Sequence, residues 1–338
     1  MFAVIDCGTT MTRIYIVDED TLKIVASGRR KVGVRDTSIT GSRDALRNGI
    51  TELFFQILEE NKIPDSSVFF SIASGMITSE VGLIDIPHLI APVGLAQLSA
   101  GVVKVEDPEV LPLGRPTYFV RGIRNHYAEN ANAHDLRDVD FMRGEEVQCI
   151  GIMRERNIPL PGNIVAHTKI IAVNQAGQIE ASATTISGQF YEAILHSTNI
   201  GKSITPTEGE TPGGYSDSEL IDIAMDCVAH AGLGRTMLMP RFLQVLMKTN
   251  SYERNTFLDA AIAADDIHAF QEMRSHGYDS NYYLLYGHES RCRLYTEILH
   301  KVFGDKITVE SIYRQEELDW LTVSGSIAVA LERIKHDA

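Results

Sequence analysis

The sequence predicts an α/β protein made of two halves that share one architecture. Three observations carry this reading. Residues 2–34 alternate apolar runs with short polar turns, the pattern of a three-stranded meander: Phe2 to Cys7, Ile14 to Val17, then Leu22 to Ser27. Residues 42–61 next place Leu46, Ile50, Leu53, Phe54, Ile57 and Leu58 at helical spacing behind Ser42, a residue suited to an N-cap, and Val68 to Ala73 follows as a buried strand. The same order of parts then returns. After the Pro- and charge-rich boundary Arg154 to Asn163 come Ile164 to Lys169, Ile170 to Val173, the turn Asn174-Gln175-Ala176-Gly177, a strand from Ile179 to Ile186, and a helix from Gly188 to His196. The expected domains are residues 1–160 and residues 161–338.

The remaining segments read as follows. Residues 201–218, rich in Gly, Pro, Thr and Ser, are expected to form a mobile surface loop. Glu219 to Arg274 is mostly helical, with Leu233, Met237, Leu238, Met239, Phe242 and Leu246 as a core stripe. Residues 281–303 and 320–335 each suggest a strand ending at a glycine (Gly287, Gly325) and then a helix.

At 338 residues, with 44% hydrophobic and 22% charged residues, the chain suits two globular domains. A net charge of −14 speaks against nucleic acid or an anionic membrane as partner, while allowing a local basic pocket. No apolar run approaches the roughly 20 residues that span a bilayer, and no basic-then-apolar leader opens the chain, so a cytoplasmic location is expected. Cys7, Cys149, Cys227 and Cys292 lie far apart, which suits reduced thiols rather than a zinc or disulfide framework. No sequence-adjacent base supports Cys7 as a nucleophile. The histidines show no metal-ligand spacing, and no structural transition metal is expected.

Asp6-Cys7-Gly8-Thr9-Thr10 admits two readings. An apolar strand delivering Asp into a Gly-Thr-Thr turn suits a phosphate site, where backbone N–H and hydroxyl donors meet oxygens and the carboxylate holds a hydrated Mg2+. The same residues also make an ordinary hairpin turn.

Two meander halves, each opening on such a turn, resemble the superfamily of sugar kinases, actin and heat-shock ATPases. Within it the chain is similar to the 2-dehydro-3-deoxygalactonokinase family almost end to end. The matching stretches are Asp6-Cys7-Gly8-Thr9-Thr10 with Arg13, Gly75-Met76-Ile77, Ile90-Ala91-Pro92, Met142-Arg143-Gly144-Glu145-Glu146-Val147-Gln148, Leu160-Pro161-Gly162, His167-Thr168-Lys169, Thr185 to Phe190, and His196-Ser197. The most specific is Arg-Gly-Glu-Glu, an order that neither core packing nor turn formation requires. Departures concentrate on the substrate side. The family's Trp after the first Asp is Cys7, its Asn after Gly-Thr-Thr is Met11, its Gly-Ser-Arg is Thr78-Ser79-Glu80, and its Gly-Thr-His-Ser-Lys-Trp is reduced to Ala166 to Ile170.

The resemblance implies two ribonuclease H-like domains with a nucleotide cleft between them. It also implies transfer of the ATP γ-phosphoryl group to a hydroxyl of a 2-keto-3-deoxy sugar acid, with Mg2+. Asp6 would organise the metal, while Gly8, Thr9 and Thr10 cradle phosphate from one side and His167 and Thr168 from the other. Lys169 would stabilise the transferring group. The related kinases carry a Gly-Asp base shortly before the second phosphate turn; Gly144-Glu145 stands in that relation to His167, which makes Glu145 the base, with Glu146 second and Asp140 third. Arg143, Arg13 and Met76 would meet the sugar acid, and Gly287, Gly325 and Ser326 the adenosine. The alternative is a nucleotide-binding regulatory protein or hydrolase of the same fold. The partner implied is a small-molecule acid, and a homodimer is left open.

Overall fold

A computed structural model of the chain describes residues 1–166, 169–210 and 213–337. The chain divides into two compact units: Met1–Pro161 with Ala172–Ser182 and Gln315–Ala338, and Gly162–Ile171 with Ala183–Arg314.

The first unit opens with β1 (Phe2–Cys7), β2 (Thr12–Val17) and β3 (Ile24–Arg30), followed by α1 (Val34–Thr40), α2 (Asp44–Glu60) and β4 (Phe70–Gly75). Then come β5 (Leu89–Ile90), α3 (Leu95–Ala100), β6 (Val103–Val105), β7 (Thr117–Phe119), β8 (Ile123–Arg124), β9 (Phe141–Met142) and α4 (Glu145–Glu155). The main sheet has the order β3-β2-β1-β4-β7-β6, with β1 antiparallel to β2 and parallel to β4. A small sheet, β5-β8-β9, lies beside it in the chain order.

Alternation along β1 sorts its side chains between two buried faces. Ala3, Ile5 and Cys7 join Ile14, Ile16, Leu46, Ile50, Leu53, Phe54 and Ile57 in one core. Leu53, Phe54 and Ile57 lie on the helical stripe foreseen for α2. Its N-cap is Arg43, and Ser42 instead accepts from the Asp44 N–H at 3.1 Å. The opposite face of the sheet is covered by α12 (Gln315–Asp337), a helix made more than 150 residues later.

α12 differs from expectation in two ways. The strand-then-glycine turn expected near Gly325 is absent, because Val323 to Ala328 are interior turns of one continuous helix. This helix also belongs to the first unit, where it packs along α4 and α3; Ser99 Oγ donates to the Val329 carbonyl at 3.1 Å. The α4–α12 crossing is set by two glycines. A Cβ on Gly325 would sit 1.9 Å from the Val147 carbonyl oxygen, and one on Gly151 would sit 2.0 Å from that of Leu321.

Later in the chain β10 (Gly162–Ala166), β11 (Lys169–Val173), β12 (Ile179–Thr184), β13 (Tyr282–Tyr286) and β14 (Thr308–Ile312) form a sheet of order β12-β11-β10-β13-β14. The helices of the second unit are α5 (Ser187–Ser197), α6 (Gly201–Ile204), α7 (Asp217–Ala231), α8 (Leu233–Thr236), α9 (Met239–Val245), α10 (Ser251–Ser275) and α11 (Glu289–Phe303). The stripe expected at 233–246 is broken between α8 and α9. Met237 is buried as expected, but Leu238 is 45% and Leu246 72% exposed; a separate helix begins at Met239, with Pro240 in its first turn. Within the expected loop at 201–218, Gly201 to Ile204 is helical; Thr211 and Pro212 lie outside the described residues.

Candidate functional site

In the first unit, chemistry-bearing residues gather at the carboxyl ends of the parallel strands β1 and β4. Asp6 is in register with Arg13 on one side and Ser74 on the other. Arg13 Nη1 donates to Asp6 Oδ2 at 3.2 Å. Burial nevertheless raises the Asp6 carboxyl above the ordinary carboxylate range, against the pull of Arg13. Asp319 from α12 adds a second negative charge that acts on both Asp6 and the Tyr15 hydroxyl, whose titration is pushed upward mainly by burial.

Ser74 is buried, and its Oγ has no hydrogen-bond partner among the described residues. A buried hydroxyl without a partner is costly. One placed beside a carboxylate in this way fits the water shell of a hydrated cation. The residues present therefore suit Mg2+ near Asp6.

The Gly8–Met11 turn closes with the Gly8 N–H on the Met11 carbonyl at 2.9 Å, and leaves Thr9 and Thr10 exposed. Its carbonyls are occupied: Thr9 accepts from the Arg35 N–H at 2.9 Å and Gly8 from the Val34 N–H at 3.3 Å. Cys7 is buried, and its thiol is pushed up to about 12 by burial, an environment unsuited to a nucleophile.

The start of α4 is delivered to this same end of the sheet. Gly144 adopts φ 109°, a conformation that favours glycine, and its Cβ position lies 3.3 Å from the Gly75 Cα at the end of β4. Glu145, half-buried, opens the helix. Glu146 behaves differently. It is fully buried, both of its carboxyl oxygens accept from the Gly144 N–H at 2.9 and 2.8 Å, and burial next to Glu145 raises it to about 8. That arrangement is a helix cap built from a neutral carboxyl group.

Arg143 is clamped by Thr78 Oγ1 and the Ile86 carbonyl, each at 2.8 Å. Met76 lies half-buried against the core in the turn after β4. Gly325 faces α4 inside the helix crossing and Ser326 beside it in the chain is fully buried; packing fills the place where a ligand-facing turn was expected.

In the second unit, Lys169 is buried and its Nζ donates to Thr184 Oγ1. Gly287 stands as expected between β13 and α11, with φ 136° and its N–H on the Ile312 carbonyl at 2.9 Å. His167 and Thr168 lie outside the described residues. A cavity of about 500 Å3 opens at the start of α5, lined in part by Thr185, Ser187, Phe190 and Asp266. Ser187 Oγ reaches both Asp266 oxygens at 2.5 Å, Thr185 Oγ1 meets Ser187 Oγ at 2.7 Å, and the Tyr295 hydroxyl completes the group. Burial raises the Asp266 carboxyl while these donors hold it down.

Ser74, Asp319 and Asp266 gave no signal in the sequence, since each depends on a partner distant in the chain. The Thr185-Ile186-Ser187 run was the one visible pointer to the second-unit cavity.

Residues 6–313 match the family described as 2-keto-3-deoxy-galactonokinase. No curated protein matches the chain. A solved structure from Sinorhizobium meliloti, provisionally described as a 2-dehydro-3-deoxygalactonokinase, is 17% identical over 98% of this chain and 96% of that one, with a TM-score of 0.73. A reductive activator for a corrinoid, iron-sulfur protein is 10% identical over 99% of this chain and 61% of that one, with a TM-score of 0.51. A propionate kinase from Francisella tularensis subsp. tularensis is 10% identical over 95% of this chain and 98% of that one, with a TM-score of 0.44. The expected α/β fold of the actin-like ATPases and sugar kinases is borne out.

Proposed function

The chain belongs to the 2-keto-3-deoxy-galactonokinase family and is a sugar kinase, and from that premise we propose that it transfers the ATP γ-phosphoryl group to a hydroxyl of a 2-keto-3-deoxy sugar acid, with Glu145 as base. The observation that carries the reading is the close approach of Gly144, the residue before Glu145, to Gly75 at the end of β4, where the neighbouring residue Ser74 is in register with Asp6. Phosphoryl transfer asks a protein mainly for positioning and charge neutralisation. A carboxylate at the head of α4 can accept the proton of an attacking hydroxyl as the bond to phosphorus forms.

Glu145 suits the base role better than Glu146. The latter is sealed from solvent and occupied by the Gly144 N–H, whereas Glu145 is only half-buried. When bound, Mg2+ supplies charge neutralisation for the phosphates. Asp6 and Ser74 would hold its water shell, with exposed Thr9 and Thr10 as donors to phosphate and Gly8, whose N–H closes the turn on Met11, letting the phosphate approach the backbone. His167, Thr168 and Lys169 remain part of the proposal as phosphate contacts from the second domain, and Gly287 as an adenosine contact. Arg143, Arg13 and Met76 remain its substrate contacts. Arg13 already serves Asp6, which leaves Arg143 as the stronger claim on the acid's carboxylate.

The test is ADP release from Mg·ATP with and without a panel of 2-keto-3-deoxy sugar acids. Acid-dependent release is expected, and Glu145→Gln should lower turnover by roughly 100- to 10,000-fold with ATP affinity retained. Equal turnover in variant and parent removes Glu145 from the role. Release independent of every acid replaces the kinase with a hydrolase.

A further inference from the structure

The small sheet of the first unit gathers a concentration of positive charge in a chain whose net charge is −14. Arg124 ends β8, Arg121 lies just before it, Arg143 follows β9, and His88 precedes β5. Gly122 brings them together: a Cβ there would lie 2.8 Å from His88 Cδ2 and 2.6 Å from Arg143 Cγ. Any other residue would force the imidazole and the Arg143 stem apart.

None of the three arginines closes an ion pair among the described residues. Arg121 donates to the Pro87 carbonyl at 2.6 Å, and Arg124 to the Asn125 carbonyl at 3.3 Å while stacking 4.3 Å over the Tyr127 ring. Arg143 is held by the Thr78 hydroxyl and the Ile86 carbonyl. Asp85, Glu80 and Glu146 act on this group through space only. His88 Nε2 is shielded and has no hydrogen-bond partner among the described residues. Burial, then Arg143 and Arg124, hold the imidazole down at about 4, so it is neutral at physiological pH.

Unpaired guanidinium groups around a neutral, unsatisfied imidazole are what a carboxylate would complete. It would accept from the arginine forks and neutralise the repulsion among them. The location also suits a substrate, because Arg143 is joined through Gly144 to the proposed base. We propose that His88, Arg124 and Arg143 form the subsite for the carboxylate of the sugar acid. This rests on the kinase reading above and adds His88 and Arg124, which no sequence motif marked.

The experiment measures binding and turnover separately on the full chain. The probes are 2-dehydro-3-deoxygalactonate and its uncharged carboxamide. Arg124→Gln is expected to raise the Kd and KM for the acid roughly ten- to a hundredfold, the loss of a charge-assisted hydrogen bond. It should leave the KM for ATP and the Kd of the carboxamide unchanged, with Arg124→Lys recovering part of the loss. In the parent, titration with the acid is expected to shift the His88 ring resonances and raise its pKa, a readout that needs no variant to fold. An acid that is turned over with the same KM by parent and Arg124→Gln overturns the subsite and leaves the kinase standing. Arg124-dependent acid binding without turnover supports the subsite and overturns the kinase reading. A parent that neither binds nor turns over the acid overturns both.

Discussion

Glu146→Gln tests the physics of the α4 cap. The Glu146 carboxyl is raised from 4.5 to about 8 in the folded protein, with burial as the main cause. Below pH 4.5 folded and unfolded chains both hold the proton, and the group contributes no difference. Between pH 4.5 and 8 the folded state keeps a proton that the unfolded chain releases, so stability falls as pH rises. At 1.36 kcal/mol per pKa unit, the full window amounts to about 5 kcal/mol as a ceiling. Gln has the same shape and keeps an acceptor for the Gly144 N–H, but it does not titrate. Parent and variant should therefore unfold at similar temperatures near pH 4.5 and separate progressively toward pH 8, with the variant the more stable. For a unit of this size the separation is bounded at roughly 10–20 °C. Thermal unfolding followed by circular dichroism from pH 4.5 to 8.5 reads it directly. Parallel curves across that range would refute the claim that Glu146 is held neutral by burial. The variant should also retain far more turnover than Glu145→Gln.

Three further outcomes are expected. Asp6→Asn should raise the Mg2+ concentration needed for half-maximal ADP release, and an unchanged Mg2+ titration counts against the metal assignment. Ser74→Ala should weaken the same Mg2+ dependence while leaving thermal stability unchanged or slightly higher, because an unpartnered buried hydroxyl is removed; a clear loss of stability would show that the hydroxyl is satisfied in the protein. Gly325→Ala forces a Cβ to 1.9 Å from the Val147 carbonyl and should destabilise by about 1–3 kcal/mol or more, whereas Gly214→Ala, with open space around it, should stay within about 0.5 kcal/mol. Equal unfolding temperatures for the two variants would contradict the tight crossing.

Much of this architecture was legible because it is written in local periodicity. The meander of β1 to β3, the stripe of α2, and the β13–Gly287–α11 junction all follow from apolar spacing and turn residues near each other in the chain. The Gly-Thr-Thr turn and the Arg-Gly-Glu-Glu run pointed to the end of the main sheet for the same reason. What stayed hidden depends on distant partners. Gly325 suggests a turn when seen alone, and its true constraint is a carbonyl on α4. Glu145 and Glu146 are chemically identical in the sequence; only burial separates a half-buried carboxylate from a neutral cap. Leu238 and Leu246 fit a single helical stripe in the sequence, but the segment forms two helices, α8 and α9, and both leucines are exposed.

The coverage of the main sheet by α12 has a consequence for how the protein is born. Phe70, Ile72 and Tyr118 wait beneath a helix that leaves the ribosome long after the strands themselves. At roughly 5–20 residues per second, that delay lasts on the order of ten seconds or more. During the interval the nascent amino-terminal half carries an uncovered greasy surface, and chaperone engagement should end when α12 emerges and docks.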